Sequence, residues 1–98
     1  MKTPNSCKSI EEVRKAIDEI DQELIALIGK RYEFVKAIVP FKERNEDSII
    51  SKQRFDSVIS TRREMAIKNG LSPEVVENIY RLLMGYFILE EKKILNLK

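Results

Sequence analysis

One apolar stripe constrains this chain more than any other feature. Ile10, Val13, Ile17, Ile20, Leu24, Leu27, Phe34 and Ile38 recur in alternating steps of three and four, and only Arg31 interrupts them. That spacing places the series on one face of an α-helix. Ser9 is expected to cap the helix while Glu12 reaches back to the Ser9 N–H, a capping box. Glu11 and Glu12 suit the positive end of the helix dipole. Pro40 should end or kink the helix, because it lacks an N–H and clashes with the preceding turn. A helix over residues 10–39 is about 45 Å long at 1.5 Å per residue. A compact globule of this chain length is only about 32 Å across. The helix therefore outreaches a monomeric fold, and its stripe needs cover along its whole length. A second copy of the same helix across a two-fold axis is the expected cover.

The rest of the chain reads as helix too. Breakers cluster at Thr3-Pro4-Asn5-Ser6, around Pro40 and residues 44–48, and at Asn69-Gly70-Leu71-Ser72-Pro73. The second segment starts near Ser48 or Ser51 and presents Phe55, Val58, Ile59, Arg62, Met65 and Ala66 on one face. Gly70 suits the left-handed position just past a helix end, and Leu71 can fold back on the last turn. The third segment opens on Ser72 as N-cap with Pro73 at the first helical position. It carries Val76, Ile79, Tyr80, Leu83, Met84, Phe87, Glu91 and Ile94 on its core face. The expectation is one all-α domain over residues 1–98, with three helices (long, short, long) in an intertwined homodimer.

Composition narrows the chemistry. No His is present, which removes His triads, His general bases and His-ligated metals. The single Cys, Cys7, cannot form an intrachain disulfide or a Cys-rich zinc site, and it suits a reducing, cytoplasmic setting. Eighteen basic residues against sixteen acidic ones leave a net charge of +2, too balanced to argue for nucleic acid or a membrane surface. No apolar run approaches a membrane span, and residues 1–8 lack the apolar stretch of a signal peptide. No metal and no cofactor is expected.

The breaks in the pattern point to a site. Arg14, Ile17, Asp21, Leu24, Ile28, Arg31, Val35, Ile38 and Lys42 form a second series on the first segment's apolar side. A buried guanidinium without a counter-charge costs several kcal/mol. An internal ion pair is the simplest answer, but Asp21 is the only acid on that seam. Surplus fixed cations read as a receptor for a small anion bearing carboxylates or phosphates. Arg14 and Arg31 lie about 25 Å apart along one helix, so they cannot grip one small molecule from the same chain. An antiparallel pairing of two helices would bring Arg14 of one toward Arg31 of the other. Glu91 falls on the third segment's apolar face, either as part of a solvated charged run or as a carboxyl facing the cations. Arg54, in the first turn of segment two, reads as surface on spacing alone. Arg62-Arg63 reads as a solvated face, and Tyr80 and Tyr86 as core.

The same residues carry a resemblance. Met-Lys-Thr-Pro, Cys7 and Arg14-Lys-Ala-Ile-Asp18-Glu-Ile-Asp21 resemble the opening of isochorismate-pyruvate lyases, a branch of the all-helical chorismate mutase (type II) family. Arg31-Tyr-Glu-Phe-Val-Lys-Ala, Phe41-Lys42, Gln53-Arg54 and Asn69-Gly70-Leu71 are similar to its later blocks. The resemblance implies an intertwined three-helix homodimer in which Arg14 enters the partner's pocket while Arg31, Lys42 and Arg54 line their own. It implies that Arg14, Arg31 and Arg54 hold the two carboxylates of chorismate or isochorismate. Lys42 would then hydrogen-bond the ether oxygen as the C–O bond breaks, an electrostatic stabilisation. Family mutases usually place Glu directly after the Arg54 position, and here that residue is Phe55. The implied activity is therefore elimination of pyruvate from isochorismate to give salicylate, with chorismate mutase as the alternative. Where the family often has Gln, this chain has Glu91. Ionised, it would repel charge building on the ether oxygen; protonated, it could donate a hydrogen bond, so Glu91 joins Lys42 as a catalytic candidate. Pro40 either holds the Lys42 loop in one conformation or spoils its closure. The loop over residues 43–48 is expected to move until substrate binds. A non-catalytic helical dimer and a helix-turn-helix DNA binder remain as other classes. Basic residues do not gather in the third segment's first turn, which weighs against the latter.

Overall fold

A computed structural model of the chain describes residues 3–42 and 51–96. Among the described residues all regular structure is helical. A single 3₁₀ turn at Pro4–Ser6 precedes α1 (Ile10–Ile38), which runs 29 residues. A second 3₁₀ turn, Val39–Phe41, follows directly. Then come α2 (Lys52–Lys68) and α3 (Pro73–Ile94), of 17 and 22 residues. The long-short-long order read from the sequence holds. The chain divides into two compact units, Met1–Phe34 and Val35–Lys98.

The helix ends follow local chemistry. The Ser9 hydroxyl accepts the Glu12 N–H at 3.2 Å. The Glu12 carboxylate reaches back one residue further than expected, taking the Lys8 N–H at 2.6 Å. The capping box is thus shifted by one position. Helix α1 stops at Ile38, two residues before Pro40, as that ring requires. Ser51 precedes α2 but takes φ 28° and makes no cap bond with its hydroxyl. At the other end of α2 Gly70 sits at φ 72°. The Leu71 N–H donates to Ala66 and the Gly70 N–H to Ile67, which is the Schellman arrangement. Ser72 then caps α3 by accepting the Val75 N–H, with Pro73 in the first turn. The two helices consequently fold back on each other as a tight hairpin and pack together.

Among the described residues the buried apolar side chains are Val39, Val58, Ile59, Ala66 and Phe87, all within the second unit. Helix α1 buries none of its residues in the single chain. Its stripe from Ile10 to Ile38 stays between 41% and 72% exposed at every apolar position. Helix α3 shows a second open series, Val75, Ile79, Leu82, Tyr86 and Leu89, again in steps of four and three. Tyr86, expected in the core, belongs to this open face. No helix among the described residues is long and apolar enough to cross a membrane.

Candidate active site

The second unit brings two of the candidate residues together. Lys42 leaves the Val39–Phe41 turn in extended backbone conformation, with its N–H bonded to the Val39 carbonyl at 3.0 Å. Its Nζ lies 3.0 Å from Oε1 of Glu91 on α3. Glu91 is the one buried charged residue among those described, its side chain only 5% exposed, while that of Lys42 is 19% exposed. Glu91 therefore sits on the core side of α3 and not on a solvated helix end. Phe87, one turn earlier on α3, is also buried. An ammonium fixed by a buried carboxylate is pre-placed, with little rotamer freedom left to lose when it meets a ligand.

The remaining candidates are placed singly. Arg54 is exposed in the first turn of α2, and Arg14 is exposed on α1. Among the described residues no ion pair is formed by either. Arg31 is half-buried on α1. Arg14 and Arg31 belong to the first unit and Lys42, Arg54 and Glu91 to the second. Phe55, directly after Arg54, is half-buried and has the Arg81 guanidinium 5.5 Å from its ring centroid, so α3 helps fix the ring. The loop over residues 43–48 lies outside the described residues.

Arg63, read with Arg62 as a solvated helix face, is 36% exposed and bridges the hairpin at its surface. Arg63 on α2 grips Glu77 at 2.7 Å and Glu74 at 3.3 Å on α3. Glu77 also takes the Arg81 Nε at 2.7 Å. The hydrogen bond from Arg81, then that from Arg63, holds the Glu77 carboxyl below its ordinary pKa. The Glu74 carboxyl is lowered by its own backbone N–H first, then by Arg63 and Ser72. The two carboxylates in turn raise Arg63. Arg62 lies 5.6 Å from the Tyr80 ring centroid. The Glu77–Arg81 spacing of four was a sequence signal for a helical ion pair. The reach from Arg63 to α3 had no such signal, because it depends on how the hairpin closes.

Comparison with known proteins adds the chemistry of relatives. Residues 13–92 match the family model described as chorismate mutase type II. The chain is 33% identical over 93 residues to the isochorismate pyruvate lyase of Pseudomonas aeruginosa, covering 95% of this chain and 91% of that protein. It is 31% identical over 77 residues to the T-protein of Haemophilus influenzae, covering 79% of this chain but 20% of that protein. It is 26% identical over 83 residues to the bifunctional chorismate mutase/prephenate dehydratase of Buchnera aphidicola, covering 85% and 22%.

Proposed function

The chain belongs to the chorismate mutase type II family, and from that membership we propose that it is an isochorismate-pyruvate lyase acting without metal or cofactor. Its product would be salicylate, released with pyruvate. Similarity to a lyase along nearly the full length of both chains supports this reading, whereas the T-protein and the bifunctional chorismate mutase/prephenate dehydratase are matched over about a fifth of their length. The observation that carries the site is Lys42, an ammonium held 3.0 Å from the buried Glu91 carboxylate.

In the proposed reaction the ether C–O bond of isochorismate breaks while a ring hydrogen passes to the methylene of the departing enolpyruvyl group. The ring becomes aromatic and the side chain leaves as pyruvate. No general base is required, which suits a chain without His. The protein's work is to hold the substrate compact and to stabilise negative charge on the ether oxygen. Lys42 supplies that stabilisation. Arg14, Arg31 and Arg54 bind the two carboxylates, since guanidinium groups pair with carboxylates in a bidentate fashion. Glu91 aligns Lys42 and shapes the charge around the breaking bond.

We further infer a homodimer with Arg14 contributed across the interface. The open stripe of α1 and the open series of α3 are too long and too apolar to face water alone, and a second copy offers complementary faces of both. A single domain over residues 1–98 then completes its core only as a pair.

Purified protein incubated with isochorismate should release salicylate and pyruvate in equal amounts. With chorismate it should give prephenate more slowly. Prephenate as the faster product would replace the lyase reading with the mutase one. No product from either substrate would leave a helical dimer without catalysis.

A further inference from the structure

The turn between α1 and Lys42 contains the departure from regular helix that the site depends on. Helix α1 carries a helical pattern that Lys42 would continue, since Lys42 stands four residues after Ile38 on the same seam. The backbone does not continue it. Val39, Pro40 and Phe41 tighten into one 3₁₀ turn, closed by the Lys42 N–H on the Val39 carbonyl at 3.0 Å. Lys42 itself is extended, at φ −101° and ψ 150°.

We propose that Pro40 is a positioning residue for Lys42, presetting the turn that delivers the Lys42 ammonium to Glu91. The inference rests on the lyase reading only for its kinetic consequence. Three facts carry it. First, a proline ring forbids the α-helical continuation, because it removes a donor and clashes with the preceding turn. Second, its fixed φ near −65° lies within the range that a 3₁₀ turn requires. Pro40 stands within the first two positions of that turn. Third, the turn is anchored at both ends. Val39 is buried at 4% exposure, and Lys42 is tied to Glu91. Phe41 between them is 87% exposed, so burial of Phe41 does not hold the turn. The ring of Pro40 is the local element that selects turn over helix.

With Ala at this position both conformations open. Residues 39–42 can then extend α1, which would carry Lys42 out of the backbone conformation that meets Glu91. The test uses the full chain. In Pro40→Ala, the Cα chemical shifts of residues 39–42 should move toward helix, and the order parameter of the Lys42 Cε should fall. Values of kcat/KM with isochorismate should drop about two- to fivefold, the factor expected from restored backbone freedom, and further in Pro40→Gly. The kinetic loss should vanish when Pro40→Ala is placed on Lys42→Ala, measured with stoichiometric enzyme, while any change in melting temperature persists. Unmoved shifts and an unmoved Lys42 order parameter would overturn the proposal, as would a kinetic loss of the same size in the Lys42→Ala background. If Lys42→Ala alone keeps wild-type turnover, the lyase site has failed, and the spectroscopic measurements still decide the role of Pro40.

Discussion

Removing Lys42 should destabilise the protein before it says anything about catalysis. Lys42→Ala strands the Glu91 carboxylate, 5% exposed, without its ammonium at 3.0 Å. Breaking a buried pair from one side costs about 3–5 kcal/mol. The low end applies, because Lys42 is 19% exposed and the pair is partly screened. A loss of about 3 kcal/mol corresponds to roughly 12–24 °C in Tm for a domain this size. Glu91→Gln should cost less, about 1 kcal/mol, since the amide oxygen still accepts from Lys42 and the long lysine stem can carry its charge toward water. The double variant Lys42→Ala/Glu91→Gln should regain about 1.5 kcal/mol relative to Lys42→Ala, because no buried charge is left alone. Urea melts followed by helix circular dichroism at pH 7 measure all four proteins. They need one protein concentration, because the stability of the proposed dimer would depend on it. Turnover should separate from stability in the same set. Lys42→Ala should lose about 10²–10³ in kcat, and the double variant should recover stability without recovering rate. The reasoning fails if Lys42→Ala melts within about 0.5 kcal/mol of the wild type and the double variant is no more stable than the single.

Other consequences follow from other parts of the molecule. Leu24→Glu places a charge in the middle of the open α1 stripe, so sedimentation should show a dimer for the wild type and a monomer for the variant; an unchanged sedimentation coefficient would refute the proposed two-fold pairing. The carboxyls of Glu74 and Glu77 are held below their ordinary 4.5, so below that pH the unfolded chain binds more protons than the folded one, and the stability they give above it is lost as pH falls. Glu77→Gln should flatten that acid slope in melts between pH 3 and 5 by about the share of one carboxylate; an unchanged slope would remove Glu77 from the account. Gly70→Ala puts a side chain at φ 72° where its Cβ would meet nothing within 4 Å. The loss should be about 1 kcal/mol of backbone strain, read as a lower urea midpoint with unchanged slope.

Much of this protein was legible in its residues. The alternating three-four stripe foretold α1, and Ser72, Pro73 and Gly70 foretold where α2 ends and α3 begins, because helix periodicity and caps are local properties. The cations on the α1 seam were visible for the same reason. Glu91 was ambiguous in sequence, since a Glu-Glu-Lys-Lys run on a helix is as readily solvated as buried. Its partnership with Lys42 spans 49 positions, and no local pattern encodes a contact at that separation. The partners of Arg63 were not legible, because its acids stand 11 and 14 residues away across the hairpin. The delivery of Lys42 was likewise hidden, for Pro40 announces only that α1 ends, and where the turn then carries Lys42 depends on the burial of Val39 and on Glu91 across α3. Sequence alone thus determined the helices, most of their ends and the excess of positive charge. Tertiary structure decided which charges meet, because only the packing of one element on another sets the distance and the solvent exclusion that turn a charge pattern into an ion pair.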